Sequence, residues 1–264
     1  MPSITVPVTS EDWDEKKFHI TGPDFECAAH SHIGYSRPSN QDRFVIHPLK
    51  DGAVLIALAD GLGGERAGDR ASETVCAEIL KIEHIPAGEE EKALAHLARV
   101  LDMEIRDLGR REPDMRGIGT TLIMALVREF SVWWLHIGDS RLYVFRHPRL
   151  DRITEDQTLA RFLIKENILD PEDAPDHYSR HIMDQFVGCG YCEAESGSFG
   201  ICSGDALVLA SDGVYRYLSE TTLAAVLGKP AAPDRQCSEI VETVLKDGGK
   251  DNLTIMIFRQ TEKA

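Results

Sequence analysis

The stretch Ala53–Gly64, with the sequence AVLIALADGLGG, predicts the element around which the fold is organised. Its apolar run is typical of a strand buried on both faces, and it ends at Asp60. The glycines that follow leave the backbone around this carboxylate open. A carboxylate at the edge of a core is costly unless its charge is compensated, and a divalent cation would compensate it. The alternative is a solvated aspartate in an ordinary strand-to-helix turn.

Composition places the chain among globular proteins and excludes several kinds of partner. The 264 residues are 42% hydrophobic and 28% charged, enough for one large domain or two small ones. A formal net charge of −15 argues against nucleic acid or an anionic membrane surface as the main partner. No segment approaches a membrane span, and the polar N-terminus is not a signal peptide. Six irregularly spaced cysteines favour reduced thiols, so we expect a cytoplasmic protein.

Periodicity and turn residues predict a chain that alternates between strands and helices. Residues 1–24 are expected to be a loosely held arm, and 156–200 a mobile insertion. The strand at 142–145 is expected to form a hairpin with the strand at 132–137. Further strands are predicted at 25–33, 43–47, 53–60, 119–127, 205–210 and 253–258, and helices from about 67, at 89–108, 158–167 and 234–246.

Several carboxylates stand at strand boundaries, and strand ends on one edge of a sheet lie close in space. Two such charges about 4 Å apart repel by roughly 4 kcal/mol at a realistic dielectric, so a cluster requires cations. Oxygen ligands without a His or Cys pair favour Mg²⁺ or Mn²⁺ over Zn²⁺. Two such ions about 3.5–4 Å apart are the usual apparatus of phosphoryl hydrolysis. The carboxylates are Asp42, Asp60, Asp139, Asp212 and Asp251.

Six short motifs together resemble the metal-dependent protein phosphatases of type 2C, in their bacterial form. Each motif is weak alone, but their order and spacing are specific, and the resemblance runs from about residue 25 to 259. The motifs are Arg37-Pro-Ser-Asn-Gln-Asp42, Ala59-Asp-Gly-Leu-Gly-Gly64, Gly119-Thr-Thr121, Gly138-Asp-Ser-Arg141, Ser211-Asp-Gly213 and Asp251-Asn252.

The resemblance implies an α+β fold, a four-layer αββα sandwich of two mainly antiparallel sheets flanked by helix pairs. It implies one phosphatase domain over residues 25–260, with a flap at about 156–200, and a metal centre at one end of the sandwich. The implied cofactor is Mn²⁺ or Mg²⁺, with two ions bound tightly and a third more weakly.

The resemblance also implies a role for each site residue. Asp60 bridges the two metals, and the Gly61 carbonyl binds one of them, while Asp212 and Asp251 complete the shell of the other. Asp42 holds water in the outer shell, and Asp139 serves the third ion together with Asp212. Arg37 binds the substrate phosphate through its planar guanidinium group, which can bind two phosphate oxygens at once. The catalytic residues that the resemblance implies are Arg37, Asp42 and Asp60.

The chain departs from the family pattern at two positions near the site. Gln41 stands where many members have Glu, which removes a negative charge from the outer shell. Leu62 stands where eukaryotic members have a His that can act as general acid. Bacterial relatives often share both features, so neither indicates a catalytically inactive protein.

The flap holds two histidines and two cysteines that do not belong to the implied metal centre. His177 and His181 are separated by three residues, and Cys189 and Cys192 by two. This spacing permits a structural Zn²⁺ site. The alternative is that they are separate solvent-facing histidines and reduced thiols, which is the interpretation we favour.

These patterns predict a cytoplasmic bacterial signalling enzyme that hydrolyses phosphoserine and phosphothreonine in proteins, using water activated at a binuclear centre. Its partners would be phosphorylated proteins and a cognate Ser/Thr kinase; oligomeric state is not indicated. One alternative is a catalytically weak or inactive scaffold of the same fold that binds phosphoproteins. Another is a two-metal phosphoesterase for small phosphate esters.

Overall fold

A computed structural model of the chain describes residues 13–63, 67–174 and 177–262. Its strands are β1 Glu15–Thr21, β2 Phe25–His32, β3 Asp42–Pro48, β4 Val54–Leu62, β5 Gly119–Thr120, β6 Leu122–Arg128, β7 Ser131–Ile137, β8 Arg141–Arg146, β9 Arg149–Arg152, β10 Glu195–Gly200, β11 Ala206–Ala210 and β12 Leu253–Gln260. Its α-helices are α1 Ala67–Ile79, α2 Glu90–Arg111, α3 Leu159–Lys165, α4 Asp212–Tyr215, α5 Glu220–Leu227 and α6 Pro233–Lys246, and two 3₁₀ helices cover Pro113–Met115 and Tyr178–His181.

The strands form two antiparallel sheets. The first has the order β1-β2-β12-β11-β8-β9, and the second has the order β10-β7-β6-β4-β3, with β5 paired to β4. Helices α1 and α2 pack on the outer face of the second sheet, whereas α5 and α6 pack on the outer face of the first. The predicted four-layer αββα sandwich is confirmed, because a buried core lies between the two sheets and another lies under each helix layer.

Strand β4 shows why its sequence is apolar without interruption. Val54, Ile56 and Leu58 point into the core between the sheets. Leu55 and Ala57 point the other way, into the core beneath α1 and α2. Because side chains alternate across a strand, a strand that is covered on both faces needs apolar residues at every position.

The expected hairpin between 132–137 and 142–145 is wrong. β7 belongs to the second sheet, whereas β8 lies in the first and pairs with β9 and β11. The chain changes sheets at Gly138, whose φ of +107° is open to glycine but costly for other residues. Both strands have hairpin-like sequences, so local pattern could not distinguish a turn from a crossing between sheets.

Two expected segment boundaries also differ from the structure. Residues 15–21, assigned to a loose arm, form β1 and pair with β2 along its whole length; residues 1–12 lie outside the described part of the chain. Residues 195–200, assigned to the flap, form β10 on the edge of the second sheet beside β7. Both are edge strands with alternating exposure, a weaker signal than a continuous apolar run.

Most other predicted elements are present with boundaries shifted by a few residues. The predicted strand at 119–127 is interrupted at Thr121, which separates β5 from β6. The short elements β9, α4 and α5 were not predicted. Within the described residues, no helix is both long and apolar enough to cross a membrane.

Candidate active site

A cavity of about 320 Å³ opens at one end of the sandwich, and most of the predicted site residues line it. Arg37 and Asp251, which meet there, are 214 positions apart in the chain. Seven of the eight predicted residues line it, and the eighth, Asp42, is buried beneath. Those seven are Arg37, Gln41, Asp60, Gly61, Asp139, Asp212 and Asp251.

Asp60 is held in place through the backbone of its own strand. It pairs in register with Asp42 across β3 and β4. Its amide donates to Thr121 Oγ1 at 3.0 Å, and its carbonyl accepts the Thr120 hydroxyl at 2.9 Å. Burial, followed by the charges of the neighbouring carboxylates, raises the pKa of Asp60 well above its usual value. The carboxyl group is thus presented to the cavity by a rigid frame that does not neutralise its charge.

Asp42 lies beneath Asp60 and is fully buried. Its Oδ2 accepts a hydrogen bond from Ser211 Oγ at 2.8 Å, and its Oδ1 has no hydrogen-bond partner. Burial raises the pKa of Asp42 to about 7, although Thr254 and Ser211 oppose the shift through hydrogen bonds. A buried carboxylate oxygen without a partner is unusual, and it provides a free acceptor next to Asp60.

Asp139 is placed by the crossing from β7 to β8. The side-chain oxygen Oε1 of Gln157, the second flap residue, accepts a hydrogen bond from the Gly138 backbone N–H at 2.8 Å. The backbone N–H of Gln157 donates to the Gly138 carbonyl at 2.8 Å. Tyr215 donates to the Asp139 carbonyl at 3.0 Å. Asp139 Oδ1 is buried without a partner, and burial and nearby Asp212 raise the pKa of Asp139 to about 7.

Two arginines hold the remaining carboxylates of the cavity. Arg37 binds Asp251 with both arms of its guanidinium, through Nε at 2.7 Å and Nη2 at 2.9 Å. Arg216 lies 2.9 Å from Asp212 and 3.5 Å from Asp139. Each arginine remains partly open to solvent, with 51% of the Arg37 side chain and 37% of the Arg216 side chain exposed. Both cations therefore lie at the mouth of an acidic cavity.

Asn252 explains how the loop that carries Arg37 and Gln41 reaches this cavity. Its side-chain amide donates to the carbonyls of Ile33 at 2.8 Å and Ser39 at 2.9 Å. Its side-chain oxygen Oδ1 accepts a hydrogen bond from the Gln41 backbone N–H at 2.9 Å. The loop is thereby tied to the start of β12, next to Asp251.

The donor set fits a hard divalent cation. All the candidate ligands are oxygen atoms, which hard divalent cations prefer. Two carboxylate oxygens of this cluster are buried without a hydrogen-bond partner. The pKa of each of its four most buried carboxylates is raised. In the described parts of the chain, no three of these groups already surround one point as a ready ligand shell. Arg37 and Arg216 offset the charges of Asp251 and Asp212, so an ion that binds there would compete with the two guanidinium groups for these carboxylates.

The flap residues proposed as a zinc alternative do not form such a site among the described side chains. His177 Nδ1 lies 2.6 Å from Ser179 Oγ, inside its own 3₁₀ turn. The side chain of His181 lies outside the described part of the structure. Among the described residues, no three His, Cys, Asp or Glu side chains are grouped so that they could hold a metal ion.

Several residues that shape the cavity were not predicted from the sequence. Arg216 follows Asp212 by four positions on one helical stretch, a spacing that could have predicted the ion pair. Met183 brings the flap to the cavity wall, and no sequence signal marked it. Ser211 was quoted only as part of a motif, yet its hydroxyl also accepts the Thr254 amide at 2.9 Å and so joins β11, β12 and Asp42.

Comparison with known proteins agrees with this geometry. The sequence profile of the family described as Protein phosphatase 2C matches residues 29–253. The protein phosphatase PhpP of Streptococcus pneumoniae is 29% identical over 236 residues, covering 88% of this chain and 96% of that protein.

Two solved structures share the fold closely. The serine/threonine phosphatase of S. agalactiae superposes with a TM-score of 0.83 at 29% identity, covering 89% of this chain and 99% of that one. The catalytic domain of the phosphatase PstP, solved in complex with two manganese ions, superposes with a TM-score of 0.78 at 30% identity, covering 90% and 99%. The motifs, the αββα sandwich and these likenesses agree, and the chain belongs to the protein phosphatase 2C family.

Proposed function

We propose that this chain is a metal-dependent phosphatase that hydrolyses phosphoserine and phosphothreonine in proteins. The observation that carries the proposal is the convergence of five carboxylates and Arg37 on one end of the sandwich, in a chain of this family. The PstP complex with two manganese ions supports Mn²⁺ or Mg²⁺ as the cofactor. Bound ions of this kind would polarise water and offset the negative charge of the phosphoryl group.

We assign the cation ligands to the cavity carboxylates and one carbonyl. Asp60, at the centre, would contact both ions, with the Gly61 carbonyl on one of them. Asp212 and Asp251 would complete the shell of the other. Asp139, together with Asp212, would hold a third and weaker ion. If Asp139→Ala lost the two tight ions in a calorimetric titration, this division of roles would be wrong.

The chain's own groups would orient the substrate and the attacking water. Arg37 lies at the mouth of the cavity and would turn one arm of its guanidinium from Asp251 towards a phosphate oxygen. The unpartnered Oδ1 of Asp42 would accept a hydrogen bond from ordered water beneath Asp60. Gln41 would border the same outer shell without adding charge. Together these groups favour in-line attack by fixing both reactants.

The openness of the site supports a protein substrate. The arginines at the mouth are partly exposed, so a phosphorylated side chain can reach them from outside.

We further propose a cognate Ser/Thr kinase as the opposing partner, and a cytoplasmic location. All six cysteines are free thiols, as a reducing compartment requires.

A substrate panel tests this function against the two alternatives. Initial rates would be measured on phosphoserine and phosphothreonine peptides, on a nucleotide and on a phosphodiester, each with Mn²⁺ and with a chelator. We expect metal-dependent turnover of the peptides, lost in Asp60→Asn. Faster turnover of the nucleotide or diester would favour the small-ester hydrolase. Phosphopeptide binding without turnover in either condition would favour the scaffold.

A further inference from the structure

Two cysteines in the flap differ in their surroundings from the other four. Cys189 and Cys192 are separated by Gly190 and Tyr191, and each thiol lies close enough to shift the pKa of the other. Both are partly exposed. Gly190, with a φ of +83°, bends the chain between them. By contrast Cys27, Cys76 and Cys237 are buried in the cores, and Cys202 is exposed.

The loop that carries this pair is fastened to helix α2 by a buried carboxylate. Asp102, which is only 5% exposed, accepts the Gly188 amide at 2.7 Å and the Gly190 amide at 3.1 Å on the same Oδ1. One turn further along α2, Arg106 donates to the Gly190 carbonyl at 3.4 Å. The Asp102 carboxylate also lies near enough to Cys192 to contribute to the raised pKa of its thiol. The cysteine pair is therefore held in a fixed turn, with a carboxylate next to one thiol.

These contacts give the two sulfurs different chemical roles. The hydrogen bond from Cys192 lowers the pKa of Cys189 to about 6, despite partial burial and the nearby charge of Asp102. The same bond, with burial and Asp102, raises the pKa of Cys192 above its usual range. The lowered pKa favours the thiolate at Cys189 rather than at Cys192, and the thiolate is the nucleophilic form of cysteine. Cys192 remains a protonated neighbour within reach of it.

We propose that Cys189 and Cys192 are a redox-active dithiol that a small disulfide, such as glutathione disulfide, oxidises reversibly to an intramolecular disulfide. The Cys189 thiolate attacks one sulfur of the oxidant, forms a mixed disulfide and releases one glutathione thiolate. Cys192 then passes its proton to the released glutathione thiolate and attacks the Cys189 sulfur. The second glutathione leaves as thiolate, so the oxidant gains the two electrons that the protein loses.

The pair lies beside the proposed active site without belonging to it. Val187, two residues before Cys189, pairs with Thr120 through hydrogen bonds of 2.9 and 3.1 Å. Thr120 in turn donates to the Asp60 carbonyl. Neither cysteine lines the carboxylate cavity. Substitutions at the pair therefore test the dithiol without removing a residue that we assign to catalysis or metal binding.

The test is a thiol count at equilibrium with glutathione. The full-length chain would be incubated in glutathione buffers of rising oxidised fraction, quenched with a thiol-alkylating reagent and cut after glutamate. The fragment 173–193 contains Cys189 and Cys192 as its only cysteines. As the oxidised fraction rises, we expect both cysteines of this fragment to escape alkylation together. The fragment should then be about 2 Da lighter than the unalkylated reduced fragment, and treatment with dithiothreitol should make both cysteines available for alkylation again. Alkylation of both cysteines across the whole buffer series would overturn the proposal.

Single variants separate the two steps. Cys192→Ser should trap glutathione on Cys189 as a stable mixed disulfide, faster than the exposed Cys202 of the same molecule forms one. In Cys189→Ser, residue 192 should react more slowly than Cys202. Circular dichroism would verify that each variant is folded. Equal rates of glutathione addition at Cys189 and Cys202 would contradict a special reactivity of the pair, even if a disulfide forms slowly.

Discussion

Arg37 and Arg216 both line the carboxylate cavity. Each neutralises an aspartate that we assign to cation binding, Asp251 in one case and Asp212 in the other. A cluster of carboxylates is costly without compensation, so arginines and divalent cations are alternative partners for the same charges. The two arginines should nevertheless respond differently to substitution, because only Arg37 is proposed to bind phosphate.

Arg37→Ala should lower kcat/KM on a phosphopeptide by about 10- to 100-fold. Loss of a charge-assisted bond to phosphate costs about 1.5–3 kcal/mol, and 1.4 kcal/mol corresponds to a factor of ten. A rise in KM alone would mean that Arg37 binds ground and transition states equally, whereas a fall in kcat would mean stronger contact in the transition state. Arg149→Ala, at an exposed ion pair with Asp151, is the control. Kinetics equal to that control would remove Arg37 from the site.

Arg216→Gln should tighten Mn²⁺ binding by about fivefold or more. The guanidinium lies within 3.5 Å of Asp212 and Asp139, where it repels an incoming divalent ion. Glutamine retains hydrogen-bonding capacity but removes the charge. A calorimetric titration with Mn²⁺ measures affinity and stoichiometry in both proteins. Weaker binding in the variant would show instead that Arg216 mainly orients these two carboxylates.

At the scale of elements, the crossing from β7 to β8 decides where Asp139 lies. Gly138 has a φ of +107°, and a Cβ atom there would lie 2.8 Å from Thr121 Cγ2. The Thr121 hydroxyl also accepts a hydrogen bond from the Asp60 backbone N–H. One tight contact thus connects the two strand ends that carry Asp60 and Asp139.

Gly138→Ala should destabilise the fold more than an alanine at an open glycine with a similar backbone. Gly52 is that matched control, because its φ is +87° and no atom lies within 4 Å of the added Cβ. Gly52→Ala should cost about 1–2 kcal/mol for the left-handed conformation alone. Gly138→Ala should cost about 1–3 kcal/mol more, since it adds overpacking against Thr121. Urea unfolding measures both, and equal losses would show that the contact relaxes freely.

For the whole molecule, cation binding should stabilise the fold. The pKa of Asp60 is raised by burial and then by repulsion from the neighbouring carboxylates, and ions placed among them would offset both effects. At about 100 times its Kd, a ligand adds about 2.7 kcal/mol to the free energy of unfolding. We therefore expect a Tm that rises with Mn²⁺ in the wild type and a much smaller rise in Asp60→Asn. Identical melting curves with Mn²⁺ and with a chelator would argue against the assigned ligands.

Acid should destabilise the metal-free protein through His30. The ring is buried in β2, and its Nε2 lies 2.9 Å from Glu15 Oε1. Burial and nearby Lys17 nevertheless lower the pKa of His30 to about 4, against a value near 6.5 in the unfolded chain. The unfolded state therefore binds more protons between these values. Stability from neutral His30 is present above pH 6.5 and is lost as the pH falls towards 4.

The expected loss through His30 between pH 7 and pH 5 is about 2 kcal/mol. Urea unfolding in the presence of a chelator measures this loss, and His30→Gln should reduce the pH dependence by about that amount. If the variant kept the full pH dependence, the loss would have to be assigned to other groups.

The sequence by itself determined the two-sided strand β4, the family and the residue types of the site. Unbroken apolar runs and short motifs are local signals, so Asp60 and its glycines could be recognised without a fold. Only the tertiary structure decided that β7 and β8 lie in different sheets, that residues 15–21 and 195–200 are edge strands, and that Arg216 bridges Asp212 and Asp139. These outcomes depend on which distant segments meet. A hairpin and a sheet crossing have the same local pattern, and an edge strand is stabilised mainly by its neighbour.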